Sequence, residues 1–530
     1  MKLKKTNPGS AIFTAATFAL CFLTSTKLLA ECERWSEKWE SKQLVIGDIE
    51  IQAGNIFDEN YEDQSLMIHR TANRLHMKTR DQVIGALADV EKHDEYTEEK
   101  LADIERRLRS MKFIRDANAK PVAVCNNKVN IQITTIDNWT LTPSISFGTA
   151  GGESKLGFDI KESNFLGSGT ELRLSLDRKN GEDIYGFGYS DPVFLSRTQS
   201  LKLGYSRSNS RESSGIRFTR GKRHRGWRWK ASYNDSAELV SQQSNQFNRQ
   251  FTTLNLEALH PLSEVLSLGI SVEDVSDSIE PISPDQIEFG TYQRSNTSIN
   301  ALLELNFLSY REVFNYKSVD QIEDLGLGST LRFSAGIVRQ HVGNGSGFGA
   351  SVAYQYGTYL GSSIFTGSIG ASHVSDGHHT IENLNGHLEW IAPLGQSSRF
   401  RLRTDAQSLA GYSFADNLDI GGENGLKGYP NQHQTGTQRM LFLAEYRRDL
   451  PFRIWNLGRL GMTIFAESGR AWKAETEKAQ PWLGNLGAGL VFSPSRSSST
   501  NLVRMELAAP ITDQEELAPV QLFIGAESKF

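Results

Sequence analysis

The residues best suited to a specific interaction lie in a glycine-rich stretch near the end of the chain, residues 421–430 (GGENGLKGYP). This stretch holds too many glycines for a helix or a regular strand, and its one cation is Lys427. Further along, residues 459–469 (RLGMTIFAESG) alternate like a strand and carry Glu467. Alternation places Glu467 on the face opposite the large aliphatic side chains, where its carboxylate is available to pair with Lys427. The alternative is an ordinary glycine-rich surface loop in which Lys427 is solvated.

A second polar group, His378 and His379 beside Asp376, has side chains that can bind a metal. Adjacent histidines at a strand end point apart, so we interpret this group as a solvated loop tip. The sequence contains no G-x-S-x-G, C-x-x-C, H-E-x-x-H or phosphate-binding motif. We therefore expect no metal, no cofactor and no enzymatic activity, and an enzyme is the weakest of the alternatives.

The amino-acid composition excludes some classes of protein. The mean hydropathy of −0.41 is too low for a helical membrane protein, and no window beyond the N-terminus offers the ~20 apolar residues of a spanning helix. A transmembrane β-barrel is compatible with this value because only alternate residues of its strands face lipid. The formal net charge of −5 gives no reason to propose nucleic acid as a partner.

Residues 1–30 have the pattern of a secretory signal peptide. A lysine-rich start, MKLKK, precedes an apolar core at residues 11–23, and cleavage after Ala30 would remove Cys21. The remaining cysteines, Cys32 and Cys125, form an even pair in an oxidising compartment, which favours a disulfide bond over two free thiols.

The chain then divides into two structural regions. Residues 31–43 are charged and predicted to be a loose tether. Residues 44–137 predict a strand, two helices and a final β-hairpin, with residues 55–76 irregular and a capping box beginning at Thr79. Residues 138–530 divide into twenty short alternating segments, an even number as a barrel requires.

Three motifs resemble those of the BamA/TamA superfamily of outer-membrane barrels. L-K-G-Y at residues 426–429 resembles the V-R-G-[FY] tip of that family's lumen loop, and F-A-E-S-G at residues 465–469 resembles its F-x-D-x-G strand. N-F-L-G-S-G at residues 164–169 resembles its N-x-x-G-x-G turn. Lys427 stands for the family's arginine and Glu467 for its aspartate. The implied site residues are Leu426, Lys427, Gly428 and Tyr429 in the loop, and Phe465, Glu467 and Gly469 on the wall.

The resemblance implies an α+β POTRA-like periplasmic domain at residues 44–137, followed by a transmembrane antiparallel β-barrel of sixteen strands with a lumen-folded loop. Only one POTRA-like copy is found, fewer than the assembly barrels of that family carry. The last segment ends on Phe530, which resembles the signal by which such barrels are recognised for insertion.

The implied function is assembly of proteins into the bacterial outer membrane, or their translocation across it. Expected partners are outer-membrane lipids and unfolded client proteins or an exported protein, with an accessory protein in the periplasm or inner membrane as a further partner. The alternative is a passive diffusion channel with an accessory periplasmic domain. An open wide pore would favour the channel, and a plugged lumen would favour the transporter.

A basic segment, residues 220–230 (RGKRHRGWRWK), holds seven basic residues, counting His224, and two tryptophans. Alternation places Trp227 and Trp229 on one face and Arg228 and Lys230 on the other. We interpret the tryptophans as part of an aromatic girdle at the membrane interface and the cations as lumen wall. Binding of lipid phosphate or of a client is the alternative.

Overall fold

The computed structural model describes residues 32–39, 43–61, 64, 66–150, 153–179, 181–222, 225–242, 245–282, 291–316, 320, 322–341, 345–413, 415–473, 480–497, 502–511 and 517–527. The predicted signal segment, residues 1–30, and Phe530 lie outside these residues. Among the helices of the described part, none has the length and apolar character needed to cross a membrane.

The first region is a small α+β domain built on a four-stranded sheet. The strands lie in the order β1-β3-β4-β2, with β2 and β4 parallel and the other neighbours antiparallel. Helix α3 packs on this sheet because its apolar residues recur at helical spacing on one face. The elements are β1 (Cys32–Arg34), β2 (Val45–Gly54), α1 (Met67–Leu75), α2 (Asp81–Ala88), α3 (Glu98–Arg109), β3 (Ile114–Cys125) and β4 (Lys128–Asp137).

Three details of this domain differ from the sequence predictions. Residues 67–75, predicted to be irregular, form α1, which has no side-chain cap and is held by its buried residues His69 and Ala72. Thr79 does not cap α2, because its hydroxyl donates to Asp137 at 3.0 Å instead. The predicted tether includes β1, which pairs with β3, and Cys32 and Cys125 are joined by a disulfide bond.

The second region is one large antiparallel sheet with a separate two-stranded hairpin, β21–β22. Its strands are β5 (Leu141–Ala150), β6 (Glu153–Phe165), β7 (Thr170–Lys179), β8 (Glu182–Asp191), β9 (Gln199–Arg207), β10 (Arg211–Lys222), β11 (Arg225–Gln242), β12 (Asn245–Pro261), β13 (Leu266–Pro281), β14 (Tyr292–Asn306), β15 (Ser309–Phe314), β16 (Ile322–Gln340), β17 (Ser346–Leu360), β18 (Ser363–Ser375), β19 (Thr380–Pro393), β20 (Ser398–Ala410), β23 (Gln438–Ile454), β24 (Gly458–Trp472), β25 (Leu483–Pro494), β26 (Leu502–Pro510) and β27 (Gln521–Glu527). The hairpin consists of β21 (Leu418–Ile420) and β22 (Gln434–Gly436).

The two ends of the large sheet meet where β27 contacts β5, a contact that we call the seam. Among the described residues, the seam has two registered residue pairs, Phe523 with Gly148 and Ile524 with Phe147, whereas the adjacent β5–β6 ladder has ten. The sheet order of the described residues contains twenty-one strands, more than the sixteen that the resemblance implies. The difference arises because each alternating segment forms its own strand, and β15 adds a strand that pairs only with β16.

The two faces of the sheet differ in chemistry. One face carries exposed apolar side chains on almost every strand, among them Leu156, Phe187, Ile216, Leu256, Ile270, Ile299, Phe333, Tyr354, Ile369, Leu388, Leu402, Ile464, Leu490 and Met505. The opposite face carries buried charged residues, among them Arg249, Asp277, Glu389, Arg401, Glu445, Arg504 and Glu506. We call the space that this charged face encloses the lumen.

The N-terminal domain is docked on the end of the sheet where β5 begins. His69 Nε2 in α1 lies 2.8 Å from the carbonyl oxygen of Trp455 in the β23–β24 turn. Arg496, in the β25–β26 connection, donates from Nη1 to the carbonyl oxygen of Ile56 at 2.7 Å. These contacts hold the domain against the strands on the β24 side of the seam.

The turn at residues 164–169 holds the domain on the other side of the seam. Asn164 donates from Nδ2 to the Thr79 hydroxyl at 2.9 Å, and its Oδ1 accepts from the Gly169 N–H at 2.7 Å. Gly167 has a φ of +72°, and a Cβ there would lie 2.3 Å from the carbonyl oxygen of Lys78. A residue with a side chain at this position would therefore push the domain away from the sheet.

A long hairpin, β15–β16, extends from the sheet toward the domain. The later residues of β16 pair with β14, and the first residues pair only with β15. Arg109 of α3 binds Asp324 of the hairpin through two hydrogen bonds, of 2.9 and 2.8 Å. Burial opposes the charged form of Arg109, but the hydrogen bonds to Asp324 together with the negative charges of Asp324, Glu312 and Glu105 outweigh it and raise the pKa of Arg109 above its ordinary value.

The tip of the same hairpin crosses to strands far from its own. Tyr316 is buried against Ile364 of β18 and Ile391 of β19, and its carbonyl oxygen accepts from Arg399 Nη1 at 2.8 Å. Asp320 reaches β24, where Arg459 Nη2 lies 2.9 Å from its Oδ1. The hairpin therefore lies across the mouth of the lumen on the domain side.

Candidate functional site

The connection between β20 and β23, residues 411–437, enters the lumen and carries the predicted loop motif. Its base is the β21–β22 hairpin, and a tight turn between these strands is closed by backbone hydrogen bonds from Gly421 to Gly425 (2.9 Å) and from Gly422 to Tyr429 (3.0 Å). Gly421 has a φ of +122°, and a Cβ there would lie 1.8 Å from the carbonyl oxygen of Pro430. Glycine is thus required for the chain to fold back on itself here.

Apolar residues seat the loop on the wall of the lumen. Leu426 and Tyr429 are fully buried in a cluster with Ile420 of β21, Ala471 of β24 and Leu483 of β25. The Tyr429 hydroxyl donates to the carbonyl oxygen of Gly484 at 2.8 Å. The polar end of the tyrosine is therefore satisfied while its ring is removed from water.

Lys427 lies between two carboxylates of the lumen wall. Its Nζ is 2.9 Å from Glu506 Oε2 on β26 and 3.6 Å from Glu467 Oε1 on β24. Its backbone N–H donates to Glu467 Oε2 at 2.9 Å, and Nζ lies 4.5 Å from the centroid of the Phe465 ring. The loop is therefore bound to Glu467 through both its backbone and its side-chain charge.

The wall residues form a larger network of charges. Arg504 of β26 donates to Glu445 of β23 at 2.7 Å and to Glu506 at 2.8 Å, so one arginine joins two strands of the wall. Asn485 of β25 donates to Glu467 Oε2 at 3.0 Å. These partners fix both carboxylates in position before the loop cation is considered.

The remaining predicted residues are also at this contact. Gly428 approaches the wall so closely that a Cβ would lie 2.8 Å from Asn485 Cβ. Gly469 packs beneath Leu441 of β23, where a Cβ would lie 2.5 Å from Leu441 Cδ2. The structure thus brings together residues 426–429 with Phe465, Glu467 and Gly469, and the two glycines permit close approach of the loop and of a neighbouring strand.

Sequence reasoning missed Glu506, Arg504, Glu445 and Asn485. Glu506 is the nearer of the two carboxylates to Lys427 Nζ. A signal was present, since Arg504 and Glu506 alternate with apolar residues on β26 and therefore share the charged face. The interactions of the site are electrostatic, since three carboxylates and two cations contact one another.

The other predicted sites lie elsewhere. Asp376 accepts hydrogen bonds from the backbone N–H groups of His378 (3.0 Å) and His379 (2.8 Å), an arrangement that closes the β18–β19 turn. In the described part of the chain, no cluster of three or more His, Cys, Asp or Glu residues could hold a metal ion. Trp227 and Trp229 are exposed on the apolar face, and Arg228 donates to Glu304 at 3.0 Å on the other face.

No family model and no curated protein sequence matches the chain. Among solved structures, it is similar to BamA from Haemophilus ducreyi lacking POTRA domains 1–3, at 12% identity and a TM-score of 0.41, covering 94% of this chain and 90% of that one. It is similar to CdiB from Acinetobacter baumannii at 12% identity and a TM-score of 0.46, covering 91% and 74%. The FrpB iron transporter from Neisseria meningitidis is similar at 9% identity and a TM-score of 0.41, covering 78% and 87%. At these identities the likeness concerns the fold alone.

Proposed function

We propose that the chain is an outer-membrane β-barrel protein that assembles client proteins into the bacterial outer membrane or translocates them across it. Its N-terminal domain, a POTRA-like module, would receive the client in the periplasm, and the barrel would complete the transfer. The exposed apolar face of the sheet supports the membrane location, since a contiguous apolar surface of this extent requires lipid or another partner.

The observation that carries this proposal is the place where the loop docks. Lys427 and its neighbours contact β24, β25 and β26, and Lys427 Nζ lies 5.6 Å from the Phe523 ring of β27, the last strand before the seam. The loop therefore contacts the strands that lead to the seam, the weakest contact of the sheet. A passive pore does not require a charged contact between a loop and the strands next to the seam.

The seam supplies a route for a strand of the client. Because the described residues form two registered pairs at the seam, and each hydrogen bond contributes about 0.5–1.5 kcal/mol, separation of β27 from β5 should cost less than opening the ten-pair β5–β6 ladder. An opened seam exposes backbone N–H and C=O groups, which bind an incoming strand without regard to its sequence.

The domain offers one edge to a client and blocks the other. The outer edge of β3 is covered by β1, and beyond it Ala119 N–H donates to Glu105 at 2.7 Å while the Ala117 carbonyl oxygen accepts from Arg109 at 3.3 Å. The start of β2 is covered by residues 93–96, through bonds that include Ile46 N–H to the Asp94 carbonyl oxygen at 2.8 Å. Among the described residues, no strand pairs with the outer edge of β2 at residues 49–54, so this is where a client strand would add.

Depletion of the protein in its host, followed by quantitative proteomics of the outer-membrane fraction, tests the function. We expect specific outer-membrane or exported proteins to decrease, and wild-type protein to restore them. Lys427→Ala expressed at the same level should restore them poorly. An unchanged outer-membrane proteome, together with a large steady conductance of the purified wild-type protein in planar bilayers, would instead establish the passive channel.

Membrane insertion is tested separately. The folded protein should resist carbonate extraction, and an unboiled sample should migrate differently from a boiled one on a denaturing gel. Quantitative release from the membrane fraction by carbonate or high salt would contradict an integral barrel.

A further inference from the structure

We propose that α1 is an amphipathic helix that lies in the periplasmic leaflet of the membrane, beneath the seam, and binds anionic phospholipid. This inference rests on the proposed membrane location of the barrel. Helix α1 takes no part in the docking of the loop, in the seam or in the proposed client edge.

The position of α1 follows from its contacts at each end. Near its start, His69 lies against Trp455 in the β23–β24 turn, and just beyond its end the carbonyl oxygen of Met77 accepts from Asn164 in the β6–β7 turn. In the sheet order, the strands between these two turns include β27 and β5. The helix therefore runs along the rim of the sheet and passes beneath the seam.

The helix presents three different faces. His69 and Ala72 are buried against the domain and the rim. A second face is apolar and exposed: Leu75 is 71% exposed and Ile68 lies beside it, while Met67, 79% exposed, lies between this face and the two arginines of the helix. At a helical spacing of about 100° per residue, Leu75 and Ile68 fall on the same side of the buried face.

The third face is cationic. Arg70 and Arg74 are exposed one turn apart, and Lys78 follows the helix. No ion pair links any of these three residues to a carboxylate within the described ranges, whereas Arg106, Arg107 and Arg109 of α3 each have such a partner. An anion from outside the protein is the partner that this face lacks, and lipid phosphates lie at the depth where an interfacial helix places its cations.

The neighbouring rim extends the apolar face. Phe165 and Leu166 in the β6–β7 turn are exposed near the end of α1, and Phe452 and Trp455 are exposed at the β23–β24 end. Exposed aromatic and aliphatic side chains at a barrel rim mark the membrane interface. The rim and α1 therefore form one continuous surface, apolar with a cationic border, whose partner is the lipid leaflet rather than a protein.

Depth-dependent fluorescence quenching in the full chain tests this inference. The protein carries Leu75→Cys labelled with a small fluorophore and is reconstituted into vesicles of phosphatidylethanolamine and phosphatidylglycerol with nitroxide-labelled acyl chains. Ile464→Cys, on the exposed apolar face of β24, is the membrane control, and Glu99→Cys, exposed at the start of α3, is the solvent control. We expect quenching at Leu75→Cys of about half that at Ile464→Cys or more, and little at Glu99→Cys.

The outcomes separate this inference from the proposed function. Quenching at Ile464→Cys with none at Leu75→Cys would overturn the helix placement and leave the barrel in the membrane. No quenching at either position would overturn the membrane location and the helix inference together.

Charge reversal tests the phosphate contact. Quenching at Leu75→Cys should increase with the fraction of phosphatidylglycerol, and Arg70→Glu with Arg74→Glu should abolish that increase. Lys120→Glu, an exposed cation on β3, is the matched control and should keep it. An equal lipid dependence in the Arg70→Glu/Arg74→Glu protein and in the Lys120→Glu control would refute anionic-lipid recognition. Protection of α1 by a co-purified protein in place of lipid would refute it as well.

Discussion

Lys427 differs from a surface lysine because it is largely buried and interacts with two carboxylates at once. Its side chain is 12% exposed, and its two partners, Glu467 and Glu506, are 9% and 0% exposed. A lysine ammonium is a point charge without the fork of an arginine, so it can lie between two carboxylates on different strands without the planar geometry of a bidentate pair. The contact of Lys427 with Glu467 and Glu506 therefore holds the loop with a geometry that differs from that of a bidentate arginine–carboxylate pair.

Removal of the cation should release the loop. Lys427→Ala leaves the buried Glu467 carboxylate without a cation, since only Glu506 keeps one in Arg504, and should cost about 3–5 kcal/mol in loop docking, whereas Glu467→Ala leaves Lys427 paired with Glu506 and costs less. Adding Glu467→Ala to Lys427→Ala should change little, because the charge pair is already lost and only the hydrogen bond from the backbone N–H of residue 427 to Glu467, worth about 0.5–1.5 kcal/mol, is still removed. Hydrogen exchange of residues 418–436 in the full chain measures the docking free energy.

The control for this series is an exposed ion pair. Arg178 and Asp183 have side chains that are well exposed and 3.7 Å apart, so Arg178→Ala should cost less than about 1 kcal/mol and leave exchange of the loop unchanged. Defects of Lys427→Ala and Glu467→Ala that add fully would contradict a shared interaction.

For individual residues, the sequence predicted one ion pair, Lys427 with Glu467, whereas the structure contains a larger network of charged residues. Lys427 and Glu467 could be linked because strand alternation fixes which side of β24 faces inward. Glu506 and Arg504 could not be linked to them, because alternation within β26 says nothing about which strands are neighbours across the wall. Register between strands depends on backbone pairing over the whole sheet, and a single segment does not encode it.

Among the elements, the β15–β16 hairpin is bound to the domain by the ion pair of Arg109 and by Arg106, which stacks on the Tyr310 ring. Arg109→Lys should weaken this contact, since lysine cannot make the two parallel hydrogen bonds to Asp324. We expect faster hydrogen exchange in β15 and in the first residues of β16, with an effect of about 1–3 kcal/mol.

Arg107 is the matched control, because it pairs with Asp89 at 2.6 Å within the domain and does not contact the hairpin. Arg107→Lys should leave exchange of β15 at the wild-type rate. Equal acceleration in both variants would show that the domain, and not the Arg109 contact, had been perturbed.

The disulfide bond ties β1 to the end of β3. Cys32 lies opposite Cys125 in the ladder, and the bond closes a segment with a sequence separation of 93. Replacing both residues by serine should destabilise the domain by roughly 2–4 kcal/mol, seen as faster exchange in β1 and β3 of the full chain. Reduced wild-type protein should behave like the variant. Alkylation of both thiols without prior reduction, detected by mass spectrometry, would contradict the bond.

Elements were predicted from sequence where periodicity was strong. Helix α3 has an N-cap and a regular apolar stripe, and both appear in the structure, with the Thr97 hydroxyl accepting from Lys100 N–H at 3.1 Å. Helix α1 was missed because two of its large apolar residues, Met67 and Leu75, are exposed and its buried positions are a histidine and an alanine. Such a pattern has no core-facing stripe, so its amphipathic character is directed at something outside the domain.

For the whole molecule, the seam is the contact whose opening the proposed function requires. Phe147→Cys with Ile524→Cys places two cysteines at a registered pair of the seam. Oxidation of this pair should block client assembly, and reduction should restore it. Assembly is measured by the return of depleted outer-membrane proteins.

The control places a second cysteine pair in an intact ladder. Ile464→Cys with Ala488→Cys crosslinks β24 to β25 at a registered pair away from the seam, and it should leave assembly at the wild-type level. Wild-type protein treated with the same reductant corrects for loss of the Cys32–Cys125 bond. Full activity of the oxidised seam variant would rule out a route through the seam.

The β15–β16 hairpin at the mouth of the lumen and the loop that carries Lys427 form two separate closures of the lumen. On the domain side, Asp320 and Tyr316 close the entrance, and deeper in the lumen Lys427 holds the second closure. The two closures are attached to different parts of the molecule. The first is attached to the domain through Arg109, and the second is attached to the strands beside the seam through Lys427. Release of Arg109 from the hairpin would therefore free the first closure from the domain, while the contacts of Lys427 with the wall remain in place.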